Sequence, residues 1–97
     1  MANEIEYKLD NNSNNVDAYL GDRKVGELNF IVKSPTVIVI TRTWTDEEFR
    51  GKGIGAALVR YIAEYARKHE KKIIPQCSFA VAFFKNKPEF QDVEYKE

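Results

Sequence analysis

Residues 49–58 read Phe49-Arg50-Gly51-Lys52-Gly53-Ile54-Gly55-Ala56-Ala57-Leu58. They join two unlike patterns. Before them, Thr36-Val37-Ile38-Val39-Ile40-Thr41 is a continuous β-branched run, the pattern of a strand covered on both faces and central to its sheet. After them, Ile54, Ala57, Leu58, Tyr61, Ile62 and Tyr65 recur at the spacing of one amphipathic helical stripe, with Arg60, Glu64, Arg67 and Lys68 off it. The junction is a poor helix start. Each glycine costs about 1 kcal/mol relative to alanine, and a cation such as Lys52 beside the positive end of the dipole costs about 0.3–1 kcal/mol more. Two accounts fit. Bare backbone N–H groups and the helix dipole can receive an anion, with Arg50 and Lys52 as counter-charges and charge-assisted bonds of about 1.5–3 kcal/mol each. Alternatively the glycines let helix and sheet pack closely while the basic residues stay solvated.

Working outward, Ile5, Tyr7 and Leu9 alternate with polar neighbours as a half-buried strand does, ending near Asp10. Residues 11–15, Asn-Asn-Ser-Asn-Asn, form a turn cluster, and Val16, Ala18 and Leu20 alternate again. Gly21-Asp22 supplies a tight turn into a third strand marked by Val25, Leu28, Phe30 and Val32, with a bulge expected at Gly26 where the alternation slips. Ser34-Pro35 breaks it. Beyond the long helix, which fades near His69, residues 72–77 read as a short strand in which Pro75 removes a ladder donor. Ser78 is the expected N-cap of a second helix over 79–85, stopped by Asn86-Lys87-Pro88. The expected fold class is α+β: a mixed, mostly antiparallel sheet of about five strands with one long and one short helix.

The 97 residues suffice for one domain, expected over 1–97, and the 43% hydrophobic and 31% charged composition is that of a globular protein. Fifteen basic and fifteen acidic residues cancel, so no global field draws the chain to nucleic acid or to an acidic membrane. The start, MANEIEYK, lacks a signal-peptide core and no apolar run reaches membrane-spanning length, which predicts a cytoplasmic protein. Cys77 has no cysteine partner and no companions for a thiolate metal site, so no metal is expected.

Spacing narrows the anion reading. A P-loop needs G-x-x-x-x-G-K followed by Ser or Thr, which is absent, and Gly51, Gly53 and Gly55 are spaced G-x-G-x-G rather than G-x-G-x-x-G. Arg50-x-x-Gly53-x-Gly55 instead resembles the Q/R-x-x-G-x-G/A coenzyme A signature of the GCN5-related N-acetyltransferases. The resemblance runs from Thr36 to near Phe84, with the strands before it in the expected order, and takes in Leu58-Val59 and Pro75-x-Cys77-x-Phe79. The chain looks like a very small branch of that family in which the two helices usual between the first two strands are reduced to residues 11–15.

The resemblance implies an acetyl-CoA-dependent N-acetyltransferase, with coenzyme A as cosubstrate and an amine as acceptor. Backbone around Arg50, Gly51, Lys52, Gly53, Ile54, Gly55 and Ala56 would hold the pyrophosphate. The pantetheine arm would lie where strand 36–43 and strand 73–77 splay apart, against Thr43, Trp44 and Thr45, with Lys85 and Asn86 of the second helix as further contacts. Trp44, Phe79 and Phe83 are candidates to line the acceptor site. With so little chain to enclose a metabolite, a protein lysine or a small amine such as a polyamine is the expected acceptor.

Direct transfer needs a base for the amine and an acid for the departing thiolate. Where many family members carry a glutamate at the end of the central strand, this chain has Trp44 and Thr45, followed by Asp46, Glu47 and Glu48. Where many carry a tyrosine on the second helix, it has Phe83 and Phe84. Cys77, placed between a strand and a helix N-terminus that favours a thiolate, is the candidate acyl acceptor. Its other reading is a small buried apolar residue. Two further functions are open on sequence alone: a non-catalytic coenzyme A or acyl-CoA binding module, and an adaptor that uses the sheet surface and binds no coenzyme.

Overall fold

The computed structural model describes residues 4–96. Four strands, β1 (Glu6–Asp10), β2 (Asn15–Leu20), β3 (Arg23–Ser34) and β4 (Val37–Thr45), form an antiparallel meander. A short 3-10 turn (Glu47–Phe49) leads through the glycine segment into α1 (Ile54–Lys68), which crosses to β5 (Lys72–Pro75), parallel to β4. Then come α2 (Ser78–Asn86) and a 3-10 helix (Pro88–Val93). The sheet order is β1-β2-β3-β4-β5. Beyond β5 the chain returns so that the Tyr95 N–H donates to the Ile73 carbonyl at 2.7 Å, which closes part of that edge. This is the α+β architecture expected from the alternating patterns.

One hydrophobic cluster holds the fold. Leu28 and Phe30 of β3, Ile38 and Ile40 of β4 and Ile73 of β5 meet Leu58, Val59 and Ile62 of α1 and Phe83 and Phe84 of α2. Both helices therefore pack on the same face of the sheet. Ile38, Val39 and Ile40 are all buried, so this part of β4 is covered on both faces as its continuous apolar run predicts, although both helices lie on the side of Ile38 and Ile40; the register neighbours of Val39 are Ile31 and Ile74.

The α1 stripe differs from expectation. Val59, Ala63 and Ala66 are buried, whereas Ala57, Tyr61 and Tyr65 are half-buried at the rim. Small side chains at Ala63 and Ala66 let the helix lie close to the sheet, and the larger tyrosines sit beside this contact. Gly26 is not the bulged residue. Register passes from Ala18↔Gly26 to Tyr19↔Lys24, so Val25 is the extra one. Glycine is needed at 26 because a Cβ there would stand 2.8 Å from Ile54 Cγ2, at the start of α1.

The second helix starts one residue earlier than expected, and its N-cap is Cys77 rather than Ser78. Sulfur seldom serves as a cap, which is why serine was the expected choice.

Candidate coenzyme cleft

Two irregularities open the sheet beside the glycine turn. Asn29 pairs with Arg42 and Phe30 with Ile40, so Thr41 is an extra residue in β4, its hydroxyl donating to the Asn29 carbonyl at 3.3 Å. β5 ends at Pro75, and the Ile40 carbonyl accepts both the Gln76 N–H at 3.0 Å and the Cys77 N–H at 3.3 Å. The ladder stops there. From Thr41 to the end of β4 the strand keeps only its β3 partner. The Asp46 N–H points to Val25 of β3 at 2.8 Å, so by antiparallel alternation Thr43 and Thr45 turn their backbone groups toward the vacated edge.

The bulge also exchanges faces, because one extra residue flips every side chain after it. In an unbroken strand Arg42 and Trp44 would share the face of Ile40. Instead Thr43 and Thr45, opposite Leu28 and Gly26, face the helices, while Arg42 and Trp44, opposite Asn29 and Glu27, lie on the helix-free face.

The turn into α1 is held from below. Asp46 caps the 3-10 turn, its Oδ1 accepting from the Glu48 N–H at 2.9 Å, and Arg23 bonds Asp46 at 3.1 Å and also Glu48. The Glu48 N–H, then Arg23, hold the Asp46 carboxyl below its ordinary value, so it is a poor proton acceptor near neutrality. The Arg23 guanidinium lies 5.2 Å from the centre of the Phe49 ring. Gly51 (φ 82°) and Gly53 (φ 83°) then take left-handed conformations with open space where a Cβ would stand. Gly53 is the N-cap of α1 and offers no side chain to it; no acid occupies the first turn. The first helical bond is from the Ala57 N–H to the Gly53 carbonyl at 3.0 Å, so the N–H groups of Ile54, Gly55 and Ala56 have no partner within the helix.

These elements enclose a cleft of about 660 Å³ lined by Thr41, Arg42, Thr43, Thr45, Phe49, Arg50, Gly51, Gly53, Ile54, Gly55, Ala56, Cys77, Ser78 and Phe79. Of the residues expected from sequence, it brings together Thr43, Thr45, Arg50, Gly51, Gly53, Ile54, Gly55, Ala56 and Cys77. Trp44 lies on the other face of β4. Lys52 lines a separate depression of about 290 Å³ with Ile5, Tyr7 and Leu20. Lys85 and Asn86 do not line the cleft, and the Asn86 amide donates to Ala82 of its own helix at 3.0 Å. Phe79 lines the cleft, but Phe83 is in the core. Thr41, Arg42, Phe49 and Ser78 were not foreseen as lining residues; the first two become visible only once the bulge is known.

Gly55 differs from the other two glycines. A Cβ there would meet the Phe79 ring at 2.7 Å, so its smallness seats α2 against α1 and sets the ring over the cleft. Cys77 is half-buried, and its Sγ accepts the Ala80 N–H at 3.4 Å. Among the cleft-lining residues there is no carboxylate, histidine or tyrosine. Among the described residues, no helix is long and apolar enough to cross a membrane.

Comparison with known proteins agrees with this fold. Residues 4–93 match the family model of the GCN5-related N-acetyl-transferases. The fold superimposes with a TM-score of 0.76 on the solution structure of a GCN5-like protein from Staphylococcus aureus, thought to be an N-acetyltransferase; the two are 30% identical, and the match covers 100% of this chain and 93% of that one. The chain therefore belongs to the GCN5-related N-acetyltransferase family. More distant likenesses, which speak to fold alone, are to a ribosomal-protein-alanine N-acetyltransferase from Brucella melitensis (18% identity, TM-score 0.61, 86% of this chain and 62% of that one) and an IAA acetyltransferase from Bacillus cereus (22%, 0.59, 73% and 51%). The chain thus spans little more than half the length of those two. No functionally curated protein gave a significant match.

Proposed function

We propose that this protein is an acetyl-CoA-dependent N-acetyltransferase, its 97 residues acting as one coenzyme-binding domain. The observation that carries the reading is the meeting, in one cleft, of a bare strand edge and an uncapped helix N-terminus. The residues suit such a coenzyme. The first turn of α1 presents N–H groups without competing acid, Gly51 and Gly53 leave room for a pyrophosphate, and Arg50 adds a counter-charge. Lys52, Lys85 and Asn86 are left as peripheral contacts. Backbone at Thr43 and Thr45 can bond the amides of a pantetheine arm as a missing strand would.

The bound coenzyme supplies an activated acetyl thioester. In direct transfer the amine nitrogen attacks the acetyl carbonyl, the C–S bond breaks, and the proton lost by the amine ends on the departing thiol. Cys77 offers a two-step route: its sulfur takes the acetyl group with release of the coenzyme thiol, and the amine then takes the acetyl group and restores the cysteine. The absence of other acid–base side chains from the cleft lining favours Cys77 as participant. It equally favours a second reading, a coenzyme A binding module without turnover. Release of free coenzyme A thiol on mixing with acetyl-CoA and an amine, protein lysine or small amine, tests the choice: amine-dependent release supports the enzyme, and tight binding without release supports the module.

A further inference from the structure

We infer that Arg42 selects the acceptor, and that the acceptor carries a carboxylate close to the amine it presents. This rests on the transferase reading and deepens it. Arg42 stands at the edge of the cleft on the face of the sheet that carries no helix, whereas the proposed phosphate site at the start of α1 lies on the helix face. An amine approaching the thioester from the free face passes Arg42.

The guanidinium is held in place by a neutral side chain, and the Glu27 carboxylate, which feels its charge, is already taken up by Lys24 and the Asn29 amide. Its Nη1 donates to Asn29 Oδ1 at 3.0 Å, a neutral acceptor, while the Asn29 amide donates to Glu27 at 2.6 Å. Lys24 engages the nearby acids, at 3.3 Å from Asp17 and 2.8 Å from Glu27, and the Asn15 amide donates to Asp17 at 2.7 Å. Among the described residues no carboxylate pairs directly with Arg42. The row Asp17, Lys24, Glu27, Asn29 thus ends in an oriented, exposed cation with donor positions left over. Arg50 is the other charged residue of the lining, and no acid joins them. A polyamine would bring its second ammonium to a cleft without counter-charge. A carboxylate would meet a guanidinium anchored through one nitrogen with its other donors free.

The test compares 4-aminobutanoate with 1,4-diaminobutane, and a peptide lysine flanked by glutamates with one flanked by lysines, in acetyl transfer from acetyl-CoA. The acidic member of each pair is expected to have the lower KM. Arg42→Gln should raise that KM about 10- to 100-fold, the range for losing a charge-assisted bond, while the KM of the basic member of the pair moves far less, and Arg42→Glu should reverse the preference. Equal or better use of the basic members, or an unchanged preference in Arg42→Glu, overturns the assignment while leaving the transferase reading intact. Should turnover be too slow to measure, the Arg42 Nε–H resonance of the coenzyme-bound protein is expected to shift with either acidic probe and not with the basic ones; no shift overturns the assignment. Failure to bind acetyl-CoA overturns the transferase reading and this one together.

Discussion

The Ile40 carbonyl accepts the Cys77 N–H at 3.3 Å, and beyond that bond β4 and β5 part. Because the same carbonyl also accepts the Gln76 N–H at 3.0 Å, one acceptor anchors both the end of the ladder and the residue that caps α2. The position of the thiol in the cleft is thereby tied to the point where the cleft opens.

Cys77 has a structural role and a proposed chemical one, and substitution can separate them. Serine is a better cap than a thiol, so Cys77→Ser should keep stability in urea within about 0.5 kcal/mol of the parent or raise it, whereas Cys77→Ala should lose about 0.5–2 kcal/mol. If the acyl-cysteine route operates, acetyl transfer by the serine variant should fall on the order of 100-fold, comparable to loss of a catalytic group. Undiminished transfer in a stably folded Cys77→Ser protein would exclude the route.

Gly53 is required for its conformation, not its size, since nothing stands within 4 Å of a Cβ there. Gly53→Ala should cost about 1–2 kcal/mol, and Gly53→Asn less, because asparagine tolerates the left-handed region. Both should weaken acetyl-CoA binding by disordering the first turn of α1. Equal stability of all three proteins in urea would contradict the assignment.

Gly26 tests the opposite case. A methyl group there would press on Ile54 Cγ2 at 2.8 Å and on the Trp44 carbonyl at 3.3 Å. Gly26→Ala should destabilise by about 1–3 kcal/mol through overpacking. Because Ile54 begins α1, acetyl-CoA affinity should fall too, although residue 26 does not line the cleft.

Acid should loosen the helix-free face. Lys24, then the Asn29 amide, hold the Glu27 carboxyl below its ordinary value of 4.5. A carboxyl whose folded value is depressed adds stability above its unfolded value, and that stability is lost as the pH falls through the folded one. The parent should therefore lose more stability than Glu27→Gln between about pH 4.5 and the acid limit, measured by urea titrations at stepped pH. Parallel curves would show that Glu27 is not coupled to folding.

The strand and helix pattern was legible because alternation and the 3.6-residue period are local. The glycine turn was legible for the same reason: Gly51, Gly53 and Arg50 act through backbone conformation and charge in one short segment. The β4 bulge was not. Alternation carried forward from Ile38 and Ile40 places Arg42 and Trp44 on the helix face, and only pairing with Asn29 and Glu27 of another strand reveals that they have crossed over. Likewise Gly55 reads as a third ligand glycine until α2 is in place and Phe79 lies on it. Cys77 was legible as a residue at a strand-to-helix junction, but its capping bond to Ala80 was not, because sequence rules favour the neighbouring serine.

The central claim is that the first turn of α1 and the bare edge of β4 together form a coenzyme A site. Calorimetric titration of the purified protein with acetyl-CoA, with ATP and NAD as controls, tests it most directly. Selective binding of acetyl-CoA near the micromolar range, about 8 kcal/mol, is the predicted result. Absence of binding, or equal binding of all three, would contradict it and leave the glycines with packing and turn geometry as their sole roles.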